Sequence, residues 1–418
     1  MKKIHYAWWI LVSCCALEFG VVGMTASTMG IYLVPVSETL GVGVGQLSLY
    51  VTIQNLVMMA LYPLAGKLLM EHEIRLVVSA PVLGISAIFL GLSRATKLLH
   101  FYIAGALLGL CYSFLMFLVV PLLINNWFRQ RAGSAMGIAL AFSGVGGALS
   151  SLAVGAIISN WGWRVSYAVT AAGMAIVVLP FTLLVIRRTP VEKGLYAYGA
   201  AASGGGMPET GDSARPALDG YLQPTFAGPL QWCLLALGGM MGLLSAMQSS
   251  VSVFASSLGF STQVGSVASS IIMAAVIAAK LILGSANDRI GVHKTLNIAC
   301  GVSAAAVIFF FASSGSRAGT LFLGAALYGF AVAISVLQPP MLVRTAFGPE
   351  RYGQIYPKVQ QAYSLASAAA LPLYNFIYDR LDSYRPVLVL LLAAIAAATL
   401  CGTWMRRYST GLCHERMS

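Results

Sequence analysis

The feature that most constrains this chain is a succession of long apolar runs separated by short polar connectors. Hydrophobic residues fill 58% of the 418 positions and charged residues only 9%, a balance that soluble globular domains do not have. Runs of about 18 to 25 residues fit helices that cross a hydrocarbon core roughly 30 Å thick. Because the alternation typical of membrane strands is absent, the sequence predicts an all-α membrane protein.

Twelve predicted transmembrane helices, numbered as spans 1 to 12, form two groups of six. Spans 1 to 6 cover about Tyr6–Val34, Gln46–Leu69, Leu76–Leu92, Leu98–Asn125, Ala132–Ile158 and Val165–Ile186. Spans 7 to 12 cover about Leu230–Phe254, Val264–Ala286, Thr295–Ala312, Thr320–Arg344, Tyr352–Tyr378 and Pro386–Met405. The expected architecture is therefore two six-helix bundles.

The net charge of +12 comes from basic residues that lie mainly in the connectors. With both termini inside, 16 of the 25 basic residues fall in cytoplasmic segments and 6 in outer loops, which is the bias that orients membrane proteins. We therefore expect a multi-pass protein of the cell membrane with cytoplasmic termini. No soluble segment combines basic residues with interleaved aromatics, so nucleic acid is not an expected partner.

The amino terminus has two features of an export signal. Met1-Lys-Lys precedes apolar residues, and Leu11-Val-Ser-Cys14 resembles a lipoprotein cleavage box. The apolar stretch continues to about Val36, however, well past the roughly 7 to 15 residues of a signal-peptide core. We interpret it as an uncleaved first span. The seven cysteines show no C-x-x-C spacing, and neither disulfides, metals nor cofactors are expected.

The two halves of the chain repeat one another. Gly66 corresponds to Gly284 at an offset of 218 residues, Val120-Pro121 to Pro339-Pro340 at 219, and Trp163-Arg164 to Tyr384-Arg385 at 221. Near-equal offsets across half the chain indicate an internal duplication. We expect bundles at 1–186 and 230–418, joined by a flexible polar cytoplasmic linker at 187–229.

The connector after span 8 carries the most specific motif of the chain. It reads Gly284-Ser-Ala-Asn-Asp288-Arg289-Ile-Gly291-Val-His-Lys294, which resembles the signature between consecutive helices of major facilitator superfamily transporters. The resemblance implies a transporter whose conformational motif includes Gly284, Asp288, Arg289 and Gly291. The glycines permit close helix approach and a tight turn.

The first half has a degenerate counterpart of this motif. It reads Gly66-Lys-Leu-Leu-Met70-Glu71 and lacks the Asp-Arg pair. Gly66 is retained in the predicted conformational motif, and Glu71, one residue out of register, is the candidate substitute for the missing acid.

Two further stretches resemble the oxalate:formate antiporter and monocarboxylate transporter group. They are Asn126–Gly137 with the glycines at 144–147, and Pro190–Gly199 after span 6. We interpret the small residues of span 5 as a close-packing surface. In that group a span 8 cation lies four residues before the signature glycine and pairs with the substrate carboxylate. Lys280 lies four residues before Gly284.

Lys280 is therefore the main candidate for carboxylate binding, since a cation inside the membrane is costly and needs a reason. Its alternative role is a structural ion pair with Glu18. The second cation of the group, in span 11, falls at Val359, so Lys358 is one residue out of register, which turns a side chain about 100° around a helix. Pro357 could restore the register, or Lys358 could snorkel to the cytoplasmic interface.

Glu18 lies near mid-bilayer in span 1, where a carboxyl can bind and release a proton during transport or act as a static partner of Lys280. Arg344 is interpreted as a snorkelling interfacial side chain. Further predicted substrate contacts are polar side chains at cavity depth: Tyr50, Gln54, Tyr112, Gln248, Gln338 and Gln361.

The expected function is secondary transport of a small mono- or dicarboxylate by alternating access, either by proton symport or by anion exchange. Two alternatives stay open: proton-coupled efflux of amphipathic or cationic compounds through Glu18, and a ligand sensor that does not transport. An enzyme is not expected, because no catalytic constellation lies within one helix or loop. The expected partners are the carboxylate, the lipid bilayer and, for symport, protons, with the protein acting as a monomer.

Overall fold

A computed structural model describes residues 5–200, 228–313, 318–381 and 383–415, and these are almost entirely helical. Outside the described residues lie five cations of the charge count, namely Lys2, Lys3, Arg215, Arg317 and Arg416, and residues 201–227 of the predicted linker.

The first half contains seven α-helices and three shorter helical segments, two of them π-helical and one 3₁₀. They run Tyr6–Leu17, Glu18–Ala26 (π), Met29–Leu40, Val44–Glu71, Ile74–Leu92, Leu98–Leu115, Val119–Trp127, Ala132–Pro180, Phe181–Val185 (π) and Pro190–Lys193 (3₁₀). The described helices of the second half run Pro229–Ser257, Thr262–Ile290, Val292–Ala312, Ala318–Leu381 and Arg385–Glu415.

Ten segments of the described chain are long and apolar enough to cross a membrane. One of them, Ala132–Val185, breaks at Gly162 (φ 80°, ψ 165°) and so holds both span 5 and span 6. The helix Ala318–Leu381 breaks in the same way at Gly348 (φ 72°, ψ 175°), and its more polar second arm is span 11. Glycine adopts such positive φ angles without steric cost. The twelve-helix, all-α membrane fold is confirmed.

The chain folds as two compact units, Met1–Pro208 and Glu209–Ser418. Each unit has its own apolar core of leucine, valine, isoleucine, alanine and aromatic side chains. The exact boundaries of the predicted linker stay a prediction.

Residues 187–200, which we expected to be flexible, pack against the first unit. The backbone N–H of Tyr198 donates to the Trp127 carbonyl at 2.8 Å. Its ring lies 5.6 Å from that of Trp8 and 5.8 Å from that of Phe128, between centroids. The expectation of flexibility is corrected for this part of the linker, because backbone pairing and aromatic packing hold it in place.

Glycines bring span 1 against span 5 in the first unit. A Cβ on Gly23 would lie 2.7 Å from the Cα of Gly146, and a Cβ on Gly146 would lie 2.6 Å from the Phe19 carbonyl oxygen. Both contacts are too short for any side chain to replace glycine without movement of the backbone. They fall in the π-helical segment Glu18–Ala26, and they confirm the predicted close packing of span 5.

The second unit uses the same device between span 7 and span 11. A Cβ on Gly238 would lie 2.7 Å from the Val359 carbonyl oxygen, and one on Gly242 would lie 2.3 Å from the Tyr363 carbonyl oxygen. Spans 7 and 11 correspond to spans 1 and 5 in the internal repeat, so both units are built around the same type of glycine contact.

Candidate functional site

Lys280 lies on the buried stripe of span 8. Buried residues recur along this helix at three- and four-residue intervals, namely Ala268, Ile272, Val276, Ala279, Lys280, Leu283, Gly284 and Asn287. This spacing marks one face of an α-helix. Lys280 is only 8% exposed, whereas its neighbours Leu281 and Ile282 are 41% and 54% exposed. The Lys280 side chain therefore points into the interior of the second unit and does not face the lipid.

The same stripe ends in a buried amide pair that joins span 8 to span 10. Gln338 Nε2 donates a hydrogen bond to Asn287 Oδ1 at 3.0 Å, and the two side chains are 0% and 5% exposed. Gln338 Oε1 and Asn287 Nδ2 have no hydrogen-bond partner among the described residues. Gln338, predicted as a substrate contact, thus makes an interhelix bond with a residue that the sequence analysis did not select.

Span 11 places Lys358 and Val359 in different surroundings. Val359 is 1% exposed and its carbonyl packs against Gly238 of span 7. Lys358 is half-buried, so the shift by one residue moves the cation away from this packed face. The neighbouring Gln360 is 4% exposed, while the predicted contact Gln361 is half-buried.

Glu18 opens the π-helical segment of span 1 and is 4% exposed. A π segment inside a longer helix is uncommon and often marks a functional position. Burial of a carboxyl in the middle of a span is costly. Both observations keep Glu18 among the candidate functional residues of the first unit.

The three predicted contacts of spans 2 and 4 are buried within the first unit. Tyr112 donates a hydrogen bond to Thr25 Oγ1 of span 1 at 2.7 Å. Tyr50 is 2% exposed, and its ring lies 6.0 Å from that of Phe101. Gln54 is 3% exposed, and its Oε1 atom has no hydrogen-bond partner among the described residues. An unpaired buried acceptor is costly, so Gln54 retains the strongest case of the three for a ligand contact.

These residues belong to a larger set of buried hydroxyl groups. The Tyr32 hydroxyl lies 3.0 Å from Ser166 Oγ and 3.1 Å from Thr170 Oγ1. Tyr32 stacks on Tyr167 at a centroid distance of 3.9 Å. The sequence analysis missed this set because isolated Ser, Thr and Tyr residues in apolar spans give no pattern. Their recurrence in spans 1 and 6 was the available signal.

Gln248 of span 7 is half-buried, and its Nε2 lies 2.8 Å from the Met273 sulfur of span 8. The contact joins two helices of the second unit through a weak acceptor. Loss of a hydrogen bond to sulfur costs less than loss of one to oxygen, so the Gln248 amide could turn to a substrate. Gln248 stays a candidate substrate contact.

The signature connector forms the turn that its glycine predicts. Gly291 has φ 85° and ψ 154° between span 8 and span 9. Gly284 is buried on the span 8 stripe, whereas Asp288 and Arg289 are exposed at the helix end. A substituted residue at Gly291 would be strained in this conformation.

The degenerate connector of the first half is held in a different way. Gly66 is buried, and Glu71 forms an exposed ion pair with Lys67 at 3.9 Å. The guanidinium of Arg188, after span 6, donates hydrogen bonds to the carbonyl oxygens of Met70 and His72. A cation at the carboxyl end of a helix also interacts favourably with the helix dipole. Arg188 therefore holds this connector, whereas the sequence analysis considered Glu71 as the substitute for the missing acid of the motif.

Comparison with known proteins gives one family and several similar folds. Residues 11–356 match the family described as the Major Facilitator Superfamily. Comparison of the sequence with curated proteins gives no match.

Three solved structures illustrate the similarity of fold. A bacterial homologue of the iron transporter ferroportin, in an outward-facing state, is 13% identical with a TM-score of 0.65, covering 97% of this chain and 100% of that chain. The Escherichia coli fucose:proton symporter is 14% identical with a TM-score of 0.67, covering 96% and 99%. The human organic anion transporter MFSD10 (TETRAN) is 15% identical with a TM-score of 0.62, covering 96% and 97%.

Proposed function

Because this chain belongs to the major facilitator superfamily, we propose that it is a secondary transporter that moves a small organic anion, a mono- or dicarboxylate, across the cell membrane by alternating access. The similar structures are described as a homologue of an iron transporter, a fucose:proton symporter and an organic anion transporter. Their substrates differ while the fold is shared, so the choice of an anion rests on residues of this chain.

The observation that carries the proposal is the burial of Lys280. Its side chain is 8% exposed and lies on the inward stripe of span 8, four residues before the signature glycine. Removal of an ammonium group from water is costly, and an opposite charge lowers that cost. A carboxylate that binds at Lys280 supplies such a charge.

The same electrostatics link binding to the transport cycle. A ligand can shift a conformational equilibrium only if it binds one state better than another. An anion that neutralises Lys280 lowers the cost of enclosing the cation in a closed state. Carboxylate binding would therefore favour closure around the substrate.

Glu18 is the proposed proton site if the mechanism is symport. It is 4% exposed in the first unit, and a buried carboxyl that exchanges a proton would couple substrate movement to a pH gradient. Lys358, half-buried in span 11, is the proposed second cation, which would be needed for a dicarboxylate.

The proposal is tested in two steps with purified protein. A thermal-shift screen of formate, acetate, lactate, oxalate and succinate first identifies a bound carboxylate. Uptake of that compound into proteoliposomes is then compared between the parent protein and Lys280→Met. We expect the substitution to lower uptake at least tenfold, since it removes the charge while keeping the length of the side chain.

Two controls make the result specific to the buried charge. Lys280→Arg keeps the charge and should retain more uptake than Lys280→Met, while Lys97→Met removes an exposed cation and should leave uptake unchanged. Full uptake by Lys280→Met would overturn the site assignment. If Glu18→Gln then abolished transport of an organic cation, efflux of cations would replace the anion proposal.

A further inference from the structure

The second unit contains a cavity at the helix ends on its predicted outer side. The cavity has a volume of about 80 Å³ and is partly open to the surface. It lies where span 7 ends at Ser257, span 9 at Ala312, and span 12 begins at Arg385. Its lining combines the apolar residues Phe254, Phe310, Phe311, Leu258 and Leu388 with the polar residues Ser257, Ser313, Ser383, Tyr384 and Arg385.

The walls of the cavity are firmly packed aromatic rings. Phe254 is 2% exposed and lies 5.4 Å from Phe310 and 5.8 Å from Tyr384, between ring centroids. Tyr384 in turn stacks on Tyr378 at 4.9 Å. Rings held on several sides do not collapse readily into a neighbouring space, so this cavity is a fixed feature of the unit.

The corresponding corner of the first unit is held by hydrogen bonds and a cation–π contact. Trp163 Nε1 donates a hydrogen bond to Thr39 Oγ1 at 2.9 Å. The guanidinium of Arg164 lies 4.2 Å from the Trp163 ring centroid and donates to the Ala95 carbonyl at 3.2 Å. The indole and the arginine thus connect the start of span 6 with the connectors after spans 1 and 3.

Each of these four residues has a counterpart that lines the cavity in the second unit. Trp163 and Arg164 correspond to Tyr384 and Arg385 at an offset of 221. Gly41 and Gly259, both with positive φ angles, align the connectors after spans 1 and 7 at an offset of 218. This offset pairs Thr39 with Ser257 and, in the connectors after spans 3 and 9, Ala95 with Ser313. The cavity therefore lies where a smaller phenol replaces an indole, and Arg385 is one of its lining residues.

We propose that this cavity is a second anion site, which takes a small monoanion with an apolar body, such as a short-chain carboxylate. The aromatic and leucine walls would cover the hydrocarbon part, and the Arg385 guanidinium at the opening would pair with the carboxylate in the planar manner that suits arginine. The site uses no residue of the transport site proposed at Lys280, so the two proposals stand or fall separately.

The test uses butyrate as the probe and Lys280→Met as the parent protein, so that any carboxylate site at Lys280 is removed first. Binding is followed in nanodiscs by saturation-transfer NMR of the butyrate methyl protons, with butyramide as the uncharged analogue and formate as the anion without an apolar body. We expect butyrate to bind at least tenfold more tightly than either compound.

Variants then assign the binding to the cavity. Arg385→Gln alters an exposed side chain and should weaken butyrate binding about tenfold by loss of the charge. Tyr384→Trp introduces the ring of the first unit and should fill the cavity with a similar loss. Arg164→Gln, at the matched position of the first unit, should bind butyrate as the parent does.

Each outcome decides the matter. Unchanged butyrate affinity in Arg385→Gln would overturn the proposal, as would equal binding of butyrate and butyramide. Absence of any butyrate signal in the Lys280→Met parent, with a signal in the unsubstituted protein, would show that Lys280 holds the only anion site detected. If Tyr384→Trp does not fold, Arg385→Gln and the butyramide comparison still give the answer.

Discussion

The two units share a packing framework but bury different polar groups at corresponding positions. Glycines place span 1 against span 5 and span 7 against span 11, and Gly23 of the first pair corresponds to Gly242 of the second at an offset of 219. Glu18, however, corresponds to Leu237 at that offset. This glycine contact is therefore retained in both units, while the position that carries the buried acid has diverged.

The same divergence holds on spans 2 and 8. Lys280 corresponds to Tyr62 at the offset of 218 that aligns the two signature glycines, and both side chains are buried. The amide pair Asn287–Gln338 corresponds to Leu69 and Val119, which are 1% and 0% exposed. Leucine and valine therefore occupy, in the first unit, the positions of the buried amides of the second. We propose that the buried acid of the first unit and the buried cation and amides of the second serve transport.

The shared framework predicts the largest effects. Gly242→Ala would place a Cβ 2.3 Å from the Tyr363 carbonyl oxygen, and Gly23→Ala would place one 2.7 Å from the Gly146 Cα. We expect each variant to lose about 3 kcal/mol of folding stability or more, since backbone must move to relieve the clash. Melting temperature of the purified protein checks this.

Gly301→Ala is the matched control, because no atom lies within 4 Å of its added Cβ. Alanine favours a helix over glycine by about 1 kcal/mol, so this variant should be as stable as the parent or slightly more so. If Gly242→Ala and Gly301→Ala melted alike, the glycine contact would not be the common framework of the two units.

The hydrogen bond between Gln338 and Asn287 is found in the second unit, where the first unit has two apolar side chains at the corresponding positions. Gln338→Val removes the donor to Asn287 Oδ1 and leaves a buried amide with no partner from span 10. We expect a loss of about 2 kcal/mol in stability. The double variant Asn287→Leu with Gln338→Val reproduces the apolar pair of the first unit and should recover most of that stability.

Uptake by this double variant sharpens the comparison further. If the amides serve transport, the double variant should be stable but slower in carboxylate uptake than the parent. Equal uptake would show that the amide pair contributes only to packing.

Glu18→Gln tests the buried acid of the first unit, which has no counterpart among the described residues of the second unit. Under proton symport we expect about a tenfold fall in uptake driven by an inward proton gradient, equivalent to roughly 1.4 kcal/mol. Glu38→Gln, beyond the end of span 1 in the helix Met29–Leu40 and exposed, should behave as the parent. Uptake that still follows the gradient in Glu18→Gln would contradict symport through this residue and support anion exchange.

Arg188→Gln gives the smallest predicted effect. It removes charged donors from the carbonyl oxygens of Met70 and His72 at the partly exposed end of span 2. We expect a loss of about 1 kcal/mol, measured as a lower melting temperature. Glu71→Gln breaks only an exposed ion pair and should change stability less. A larger loss of stability in Glu71→Gln than in Arg188→Gln would show that Glu71, and not Arg188, holds the connector after span 2.

Much of the fold followed from the sequence because hydrophobicity and spacing act locally. Apolar runs long enough to cross the bilayer must form helices, since no water satisfies their backbone groups. The signature glycine predicted the turn found at Gly291, and the small residues of span 5 predicted the contact at Gly146. The connector at 187–200 was misjudged, since its polar composition gives no sign that Tyr198 packs on Trp8 and Phe128.

The candidate site was only partly open to such reasoning. Lys280 and Glu18 stood out because charges are rare in apolar spans, and both are buried. No sequence pattern showed that Tyr112 faces Thr25 or that Gln338 faces Asn287. Those partners lie on other helices, far away along the chain.

By itself, the sequence determined that this protein is a duplicated bundle of membrane helices with a few buried charges, because solvation energy depends on residue type and run length. Only the tertiary structure decided which helix face each polar group occupies. A shift of one residue rotates a side chain by about 100°, and this separates the packed Val359 from the half-buried Lys358. It also decided that Trp163 donates a hydrogen bond to Thr39 in one corner of the repeat, while its counterpart Tyr384 borders a cavity.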